Sequence, residues 1–248
     1  MSREVRIAGR LQRRRSWQGW VRLAILTVVL FGLCIPIVIV LPLRWIPPPT
    51  TAFMLRHRFV VGGSIDSRSR YRWTDWDQIS SHLAVAVIAA EDQKFLDHHG
   101  FDVESIQDAL ADAQRGRRLR GASTISQQVS KNLLLWPSRS LARKGLEAYV
   151  TVFIELLWTK RRILEMYLNV AEFGDGVFGI AAASEHFFDT VPAHIEVDNA
   201  ALLAAVLPNP AVFRVDEPSA YVRERQSWIR RQMTQVGGVE LLEGLEEH

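Results

Sequence analysis

The sequence predicts a mainly α-helical domain carried behind one N-terminal transmembrane helix. Three observations lead there. Residues 23–43, LAILTVVLFGLCIPIVIVLPL, run for 21 positions without a charge. From Ser80 onward, apolar residues recur at helical spacing between residues that suit helix caps. No stretch is rich in strand formers, and no internal repeat is visible. The chain of 248 residues suits an anchor plus one domain of roughly 200 residues.

The uncharged run is long enough to cross a bilayer, which needs ~20 apolar residues at 1.5 Å each. Pro36 lies inside it, which a membrane helix tolerates. Residues 1–22 hold seven arginines and one glutamate. That density places the N-terminal tail in the cytoplasm and the rest of the chain beyond the membrane. The apolar core exceeds the ~7–15 residues of a cleaved signal, and no small-x-small site follows it. Cys34, the single cysteine, falls within this run and allows no intrachain disulfide. Removing the tail leaves 23 positive against 26 negative residues. The domain itself is therefore not basic, which argues against a nucleic-acid partner. The expected organisation is a basic tail at 1–22, the spanning helix at 23–43, a linker at 44–58 containing Pro47-Pro48-Pro49, and a domain at 59–248.

Within the domain, Ser80 or Ser81 caps a run, LAVAVIAAED, that is apolar on every side and hence buried. Asp102 caps a second helix reaching about Arg115. Ser123 opens a third to about Leu135, and Ser138 or Ser140 a fourth to about Trp158. Further helices are expected over 160–170, 177–188, 197–207 and 219–236, with Pro208-Asn209-Pro210 as a stop. A small hairpin is expected near 59–73.

Glu91 and Asp92 end the buried helix. Carboxylates there carry the wrong sign for the helix dipole and are costly beside apolar surface unless paired or functional. The plain alternative is a helix end facing water. Phe95, His98, His99 and Gly100 follow. Thr124, Gln128 and Lys131 share one helix face at i, i+4 and i+7, with Gln127 beside them and Asn132 following. That face either receives an anion or is merely solvated. Arg143 and Glu147 are i, i+4 neighbours with Lys144 between them, a pattern that on a surface is worth only ~0.3–0.5 kcal/mol. Charge distribution gives it more weight. Residues 115–162 hold eleven Lys or Arg against two acids, while the rest of the chain beyond residue 43 holds 12 positive against 24 negative. So polarised a domain suggests an anion site, and outside a membrane the available anions are lipid phosphates; the plain alternative is a patch that only holds anionic head groups.

These segments carry a family resemblance. Glu91-Asp92-x-x-Phe95-x-x-His98-x-Gly100 resembles the first motif of the family 51 peptidoglycan glycosyltransferases. Gly121-Ala-Ser-Thr-Ile-Ser-Gln-Gln128 with Lys131-Asn132 resembles the second, Arg143-Lys144-Gly-Leu-Glu147 the third, and Lys160-Arg-Arg-Ile-Leu-Glu-Met-Tyr-Leu-Asn169 the fourth. Ala171-Glu-Phe-Gly-Asp-Gly-Val-Phe-Gly179 and Tyr221-Val-Arg-x-Arg-Gln-x-Trp-Ile-x-Arg-Gln-Met233 look like the monofunctional biosynthetic branch. The sequence contains no Ser-x-x-Lys or Lys-Thr-Gly constellation of a transpeptidase. Two departures stand out: Ala122 replaces a common glycine, and Arg161 stands where an acid is frequent.

The resemblance implies a lysozyme-like helical glycosyltransferase fold and inverting polymerisation of lipid II into β-1,4-linked strands, with release of the lipid pyrophosphate. It implies Glu91 as general base and Glu147 as the second essential carboxylate. Asp92, Phe95, His98, Thr124, Gln128, Lys131, Asn132, Arg143 and Lys144 would then bind or shape the substrate sites. The implied partners are lipid II, the growing glycan chain, the membrane and other cell-wall synthesis or division proteins. A divalent cation (Mg or Mn) is an optional aid to the pyrophosphate, although no metal-ligand spacing marks a site for it. A glycosidase-like hydrolase would need a general acid and often a second carboxylate at a set distance, with no use for the cationic stretch. A non-catalytic scaffold would be indifferent to Glu91.

Overall fold

The computed structural model describes residues 3–61, 71–116, 123–136 and 140–245. The chain divides into two compact units, Met1–Leu43 and Arg44–His248.

The first unit is a single helix, α1 (Arg3–Val40), which continues through Pro36. The candidate span Gly19–Arg44, most of which lies in α1, contains an 18-residue window with a mean hydropathy of 3.0. Ile25, Val28, Leu30 and Phe31 are each more than half exposed. Apolar side chains turned outward on several faces call for apolar surroundings, and the length and composition fit a membrane anchor.

The second unit is helical apart from one small hairpin. Residues 44–58, expected as a linker, belong to this unit and carry a short helix, α2 (Ala52–Arg56), capped by Thr51. The next helices are α3 (Ser81–Glu91), α4 (Val103–Gln114), α5 (Ile125–Leu134), α6 (Leu141–Leu157) and α7 (Lys160–Val170). β1 (Glu172–Gly174) and β2 (Val177–Phe178) pair antiparallel, and the chain ends with α8 (Ile180–Phe188), α9 (Val197–Val206) and α10 (Ala220–Gln235). The hairpin sits at 172–178, and α8 starts three residues later than the helix expected over 177–188. The expected hairpin near 59–73 falls largely on 62–70, outside the described residues.

α3 is the core helix. Every residue from Leu83 to Ala89 is buried, and it packs against α9 and α10. Burying Leu83, Val85, Val87 and Ile88 stabilises the fold by roughly 1.5–3 kcal/mol each. Alanines on α3 and α9 allow the two helices to approach closely. α5 packs on α6 and α7. Caps set the starts: Asp102 accepts from the N–H of Ser105, Ser140 from Arg143 and Ser219 from Val222. The α5 cap is Thr124 rather than the expected Ser123. Its hydroxyl accepts from the Gln127 N–H while the Gln127 side chain reaches back, a reciprocal capping box. Ser80 stands at the α3 N-cap without capping it, because its hydroxyl donates to the Ile195 carbonyl.

Candidate active site

Glu91 is the last residue of α3 and Asp92 its C-cap. The two carboxylates turn to different tasks. Asp92 is buried, and its Oδ2 accepts the Ile125 backbone N–H at 3.0 Å, at the start of α5. An acid that opposes the dipole of the helix it ends thus complements the dipole of the helix it meets. His98 Nε2 lies 2.9 and 3.1 Å from the two Asp92 oxygens, and the Gly100 N–H donates to His98 Nδ1 at 3.2 Å. The backbone donor at Nδ1 fixes the ring proton on Nε2, where Asp92 accepts it. Thr124 Oγ1 donates to the Gly100 carbonyl at 2.7 Å. Gly100 has φ +83°, and a Cβ there would meet Thr151 Cγ2 at 2.8 Å. Asp92, His98, Gly100 and Thr124 therefore form one strap joining the end of α3 to the start of α5.

Glu91 faces open space. Its Oε2 accepts from Gln128 Nε2 at 2.8 Å, and Gln128 Oε1 in turn accepts from Tyr167 OH at 3.2 Å, which fixes the amide orientation. Its Oε1 is buried from water and makes no hydrogen bond. On α6, Arg143 Nη1 lies 2.7 Å from Glu147 Oε2, and Lys144 Nζ pairs with Glu147 Oε1. Glu147 is buried, whereas the Lys144 side chain is 45% exposed.

These groups share a cleft of about 890 Å³ whose wall includes Glu91, Gln128, Lys131, Arg143, Lys144 and Glu147. A second cavity of about 260 Å³ is lined by Glu91, Asp92, Asp102, Ser123 and Thr124 among others. Glu91 and Ser123 border both spaces, so the carboxylate stands where they meet. One space is rich in cations; the other holds several acids.

A family model described as Transglycosylase matches residues 60–234. The chain belongs to the transglycosylase family. It is 54% identical over 212 residues to the biosynthetic peptidoglycan transglycosylase of Pseudomonas savastanoi pv. phaseolicola, covering 84% of this chain and 89% of that protein. To the protein of the same name in Stutzerimonas stutzeri it is 50% identical over 219 residues, 87% of this chain and 90% of the relative. For that of Ectopseudomonas mendocina the figures are 53% over 208 residues, 84% and 86%.

The electrostatics suit a base facing an anion. Burial pushes the Glu91 carboxyl above its ordinary value, opposed by the Gln128 hydrogen bond and by the charges of Arg225 and Lys131. Burial likewise pulls Lys131 down, opposed chiefly by Glu147. Lys131 Nζ lies 5.6 Å over the Phe53 ring, the one contribution of α2 to this face among the described cation–π contacts.

Among the residues expected to bind substrate, Gln128, Lys131, Arg143 and Lys144 line the large cleft with Glu91 and Glu147. Asn132 is mostly buried and lines a separate cavity of about 130 Å³ with Lys131, Phe53 and Tyr167. Phe95 is 0% exposed, with Lys160 Nζ 4.7 Å over its ring, so it offers a ligand no surface and supports the site from behind. Asp92, His98 and Thr124 are committed to the strap. Gly121 and Ala122 lie outside the described residues. Arg161 pairs with Asp77 at 2.8 Å, away from the carboxylates. The sequence reading missed Arg225 and Trp228, which α10 brings to the cleft wall. Both lie in the Tyr221–Met233 segment, whose alternation of arginines and aromatics was the available signal. It also missed a group of possible metal ligands at His57, Glu172 and Asp175, whose donor atoms lie within 4.8 Å of one another.

Proposed function

We propose that this transglycosylase polymerises lipid II into β-1,4-linked glycan strands, with Glu91 as general base. The observation that carries the reading is the position of Glu91, which borders two spaces with a cationic wall on one side.

A transfer enzyme must hold two sugars at once, and a base at their boundary can reach the hydroxyl of one as it attacks the anomeric carbon of the other. The hydroxyl is a weak nucleophile until its proton is taken, and the Glu91 carboxyl, a group of the cleft wall, is the base that takes it. The leaving pyrophosphate is already a stable anion and needs charge stabilisation rather than a strong acid. Lys131, Arg143 and Lys144 supply it in the large cleft. Attack from one side as the pyrophosphate leaves from the other inverts the anomeric centre. Glu147 holds Arg143 and Lys144 in register. Asp92, Phe95, His98, Thr124 and Asn132 act as framework around the sites. A divalent cation finds no ready ligand pair here, because both Glu147 oxygens are already taken by Arg143 and Lys144.

The domain's surface supports work at a membrane. Tyr149, Val152 and Leu156 form an outward apolar stripe on α6 at i, i+3 and i+7. Arg44 Nη1 donates to the Leu157 carbonyl at 2.7 Å, which brings the exposed Trp45 and Ile46 to the same end of α6. With the arginine-rich tail in the cytoplasm, the domain faces the periplasmic side of the inner membrane.

The test is purified full-length protein with labelled lipid II in detergent or vesicles. The expected result is strand formation with release of the lipid, abolished by Glu91→Gln. Cleavage of preformed peptidoglycan with lipid II untouched overturns the reading, as does full activity in Glu91→Gln.

A further inference from the structure

We propose that Arg225 is a positioning residue for Glu91: it holds the carboxylate charged and aimed at the cleft from just beyond hydrogen-bond distance. This rests on the reading of Glu91 as base.

The geometry is unusual for a buried ion pair. Arg225 Nη2 lies 3.6 Å from Glu91 Oε1, with the side chains only 22% and 13% exposed. At that distance the charges attract but no hydrogen bond forms. Glu91 Oε1 and Arg225 Nε are both buried polar atoms without a hydrogen-bond partner. Such groups are costly, and guanidinium–carboxylate pairs ordinarily close into short forked contacts. Here Arg225 is held back. Its Nη2 reaches the Ala90 carbonyl at 3.5 Å, and its guanidinium lies 6.0 Å from the centre of the Trp228 ring. Trp228 lies one turn further along α10, so helix geometry fixes this contact.

The other groups around Glu91 do different work. From α5, Gln128 occupies Oε2 and Lys131 adds a more distant positive charge. From α7, Tyr167 bonds to Gln128 and not to the carboxylate. Asp92, its neighbour in the chain, opposes ionisation. From α6, Arg143 and Lys144 line the same cleft and both pair with Glu147, which leaves one net positive charge there. No group from α9 with a titratable side chain lines the cleft. Burial favours the protonated form of Glu91, which is useless as a base. Arg225 supplies a permanent opposing charge that stays in place through the working pH range.

The experiment is the pH profile of lipid II polymerisation for full-length wild type, Arg225→Met and Arg225→Lys, with Glu91→Gln alongside. An opposite charge within ~4–6 Å shifts a carboxyl by about 1–3 pH units. Arg225→Met should therefore move the acid limb upward by about one unit or more. It should lose about tenfold in rate at a pH on the wild-type limb and regain most of that loss as the pH rises. Arg225→Lys should restore the limb towards its wild-type position. Normalised profiles are insensitive to the fraction of folded protein, so a destabilised variant still gives a readable limb. An unmoved acid limb in Arg225→Met overturns the proposal, as does a rise in KM with the limb in place, which would put Arg225 on the substrate. If Glu91→Gln is itself active, the base reading fails first.

Discussion

Replacing Glu147 by glutamine tests whether the cationic wall depends on one buried carboxylate. The side chain is 3% exposed and pairs with Arg143, itself 12% exposed. Removing one partner of a buried pair costs about 3–5 kcal/mol; the residual solvent at Arg143 places this case near 3. Lys144 is 45% exposed, so its share is at most about 0.5 kcal/mol. The glutamine carbonyl still accepts from Arg143 and returns about 1 kcal/mol. The net loss is about 2–3 kcal/mol, or roughly 5–10 °C in Tm at ~2–4 °C per kcal/mol for a domain of this size. Thermal unfolding reads the stability and lipid II polymerisation the rate, which should fall at least about tenfold. The alkaline limb should also move to lower pH, because Lys131 loses the charge that opposes its depression by burial. Arg143→Met with Glu147→Leu should recover the Tm to within about 1 kcal/mol, since apolar pairs replace buried ion pairs at little cost, but should recover no activity. An unchanged Tm in Glu147→Gln, with activity lost, would refute the reasoning and place Glu147 on the substrate.

Three further substitutions have outcomes that the structure sets. Glu91→Gln should stabilise the fold at neutral pH by about 1 kcal/mol, the scale on which active sites trade stability for function. Because burial raises the Glu91 carboxyl, the folded chain binds that proton more tightly than the unfolded one. The ionised form therefore costs stability above the carboxyl's range, and the gain from glutamine should shrink as the pH falls through it; calorimetry at both ends checks the sign. Gly179→Ala should cost more than about 4 kcal/mol, since the residue has φ +80° and its Cβ would lie 2.5 Å from the Asn169 backbone oxygen. Gly145→Ala, inside α6 with nothing within 4 Å of a Cβ, should instead gain up to about 1 kcal/mol. Urea midpoints of the two alanine variants separate these cases.

Helices were legible in the sequence because their signals are local. The unbroken apolar run of α3 announces burial on all sides, and Asp102 and Ser140 occur where a cap is needed. The hairpin was hidden because Glu172–Phe178 is too short for alternation to show, and its turn depends on Gly176 at φ +75°. Of the site, Glu91, Gln128, Lys131, Arg143, Lys144 and Glu147 were legible by charge and spacing. Whether an acid faces the cleft or the framework was not. Glu91 and Asp92 are adjacent and chemically alike, and only the placement of α5 commits one of them to a helix terminus. Arg225 was hidden for a related reason: nothing near it in the chain reveals that α10 packs on α3. Phe95 was expected among the substrate-binding residues through the family resemblance alone, and its ring is fully enclosed.

Glu91 terminates a helix whose central residues, Leu83 to Ala89, are all buried. Its carboxylate therefore inherits the positional spread of the interior and not that of a surface loop. Reaction rate becomes a gauge of how tightly the alanines of α3 and α9 mesh. Changes at Val85 or Ile88, which never meet a sugar, should be felt at the reacting oxygen well before the chain unfolds. Adaptation of this enzyme to cold or heat would then work through that helix pair, leaving the residues of the cleft wall as they are.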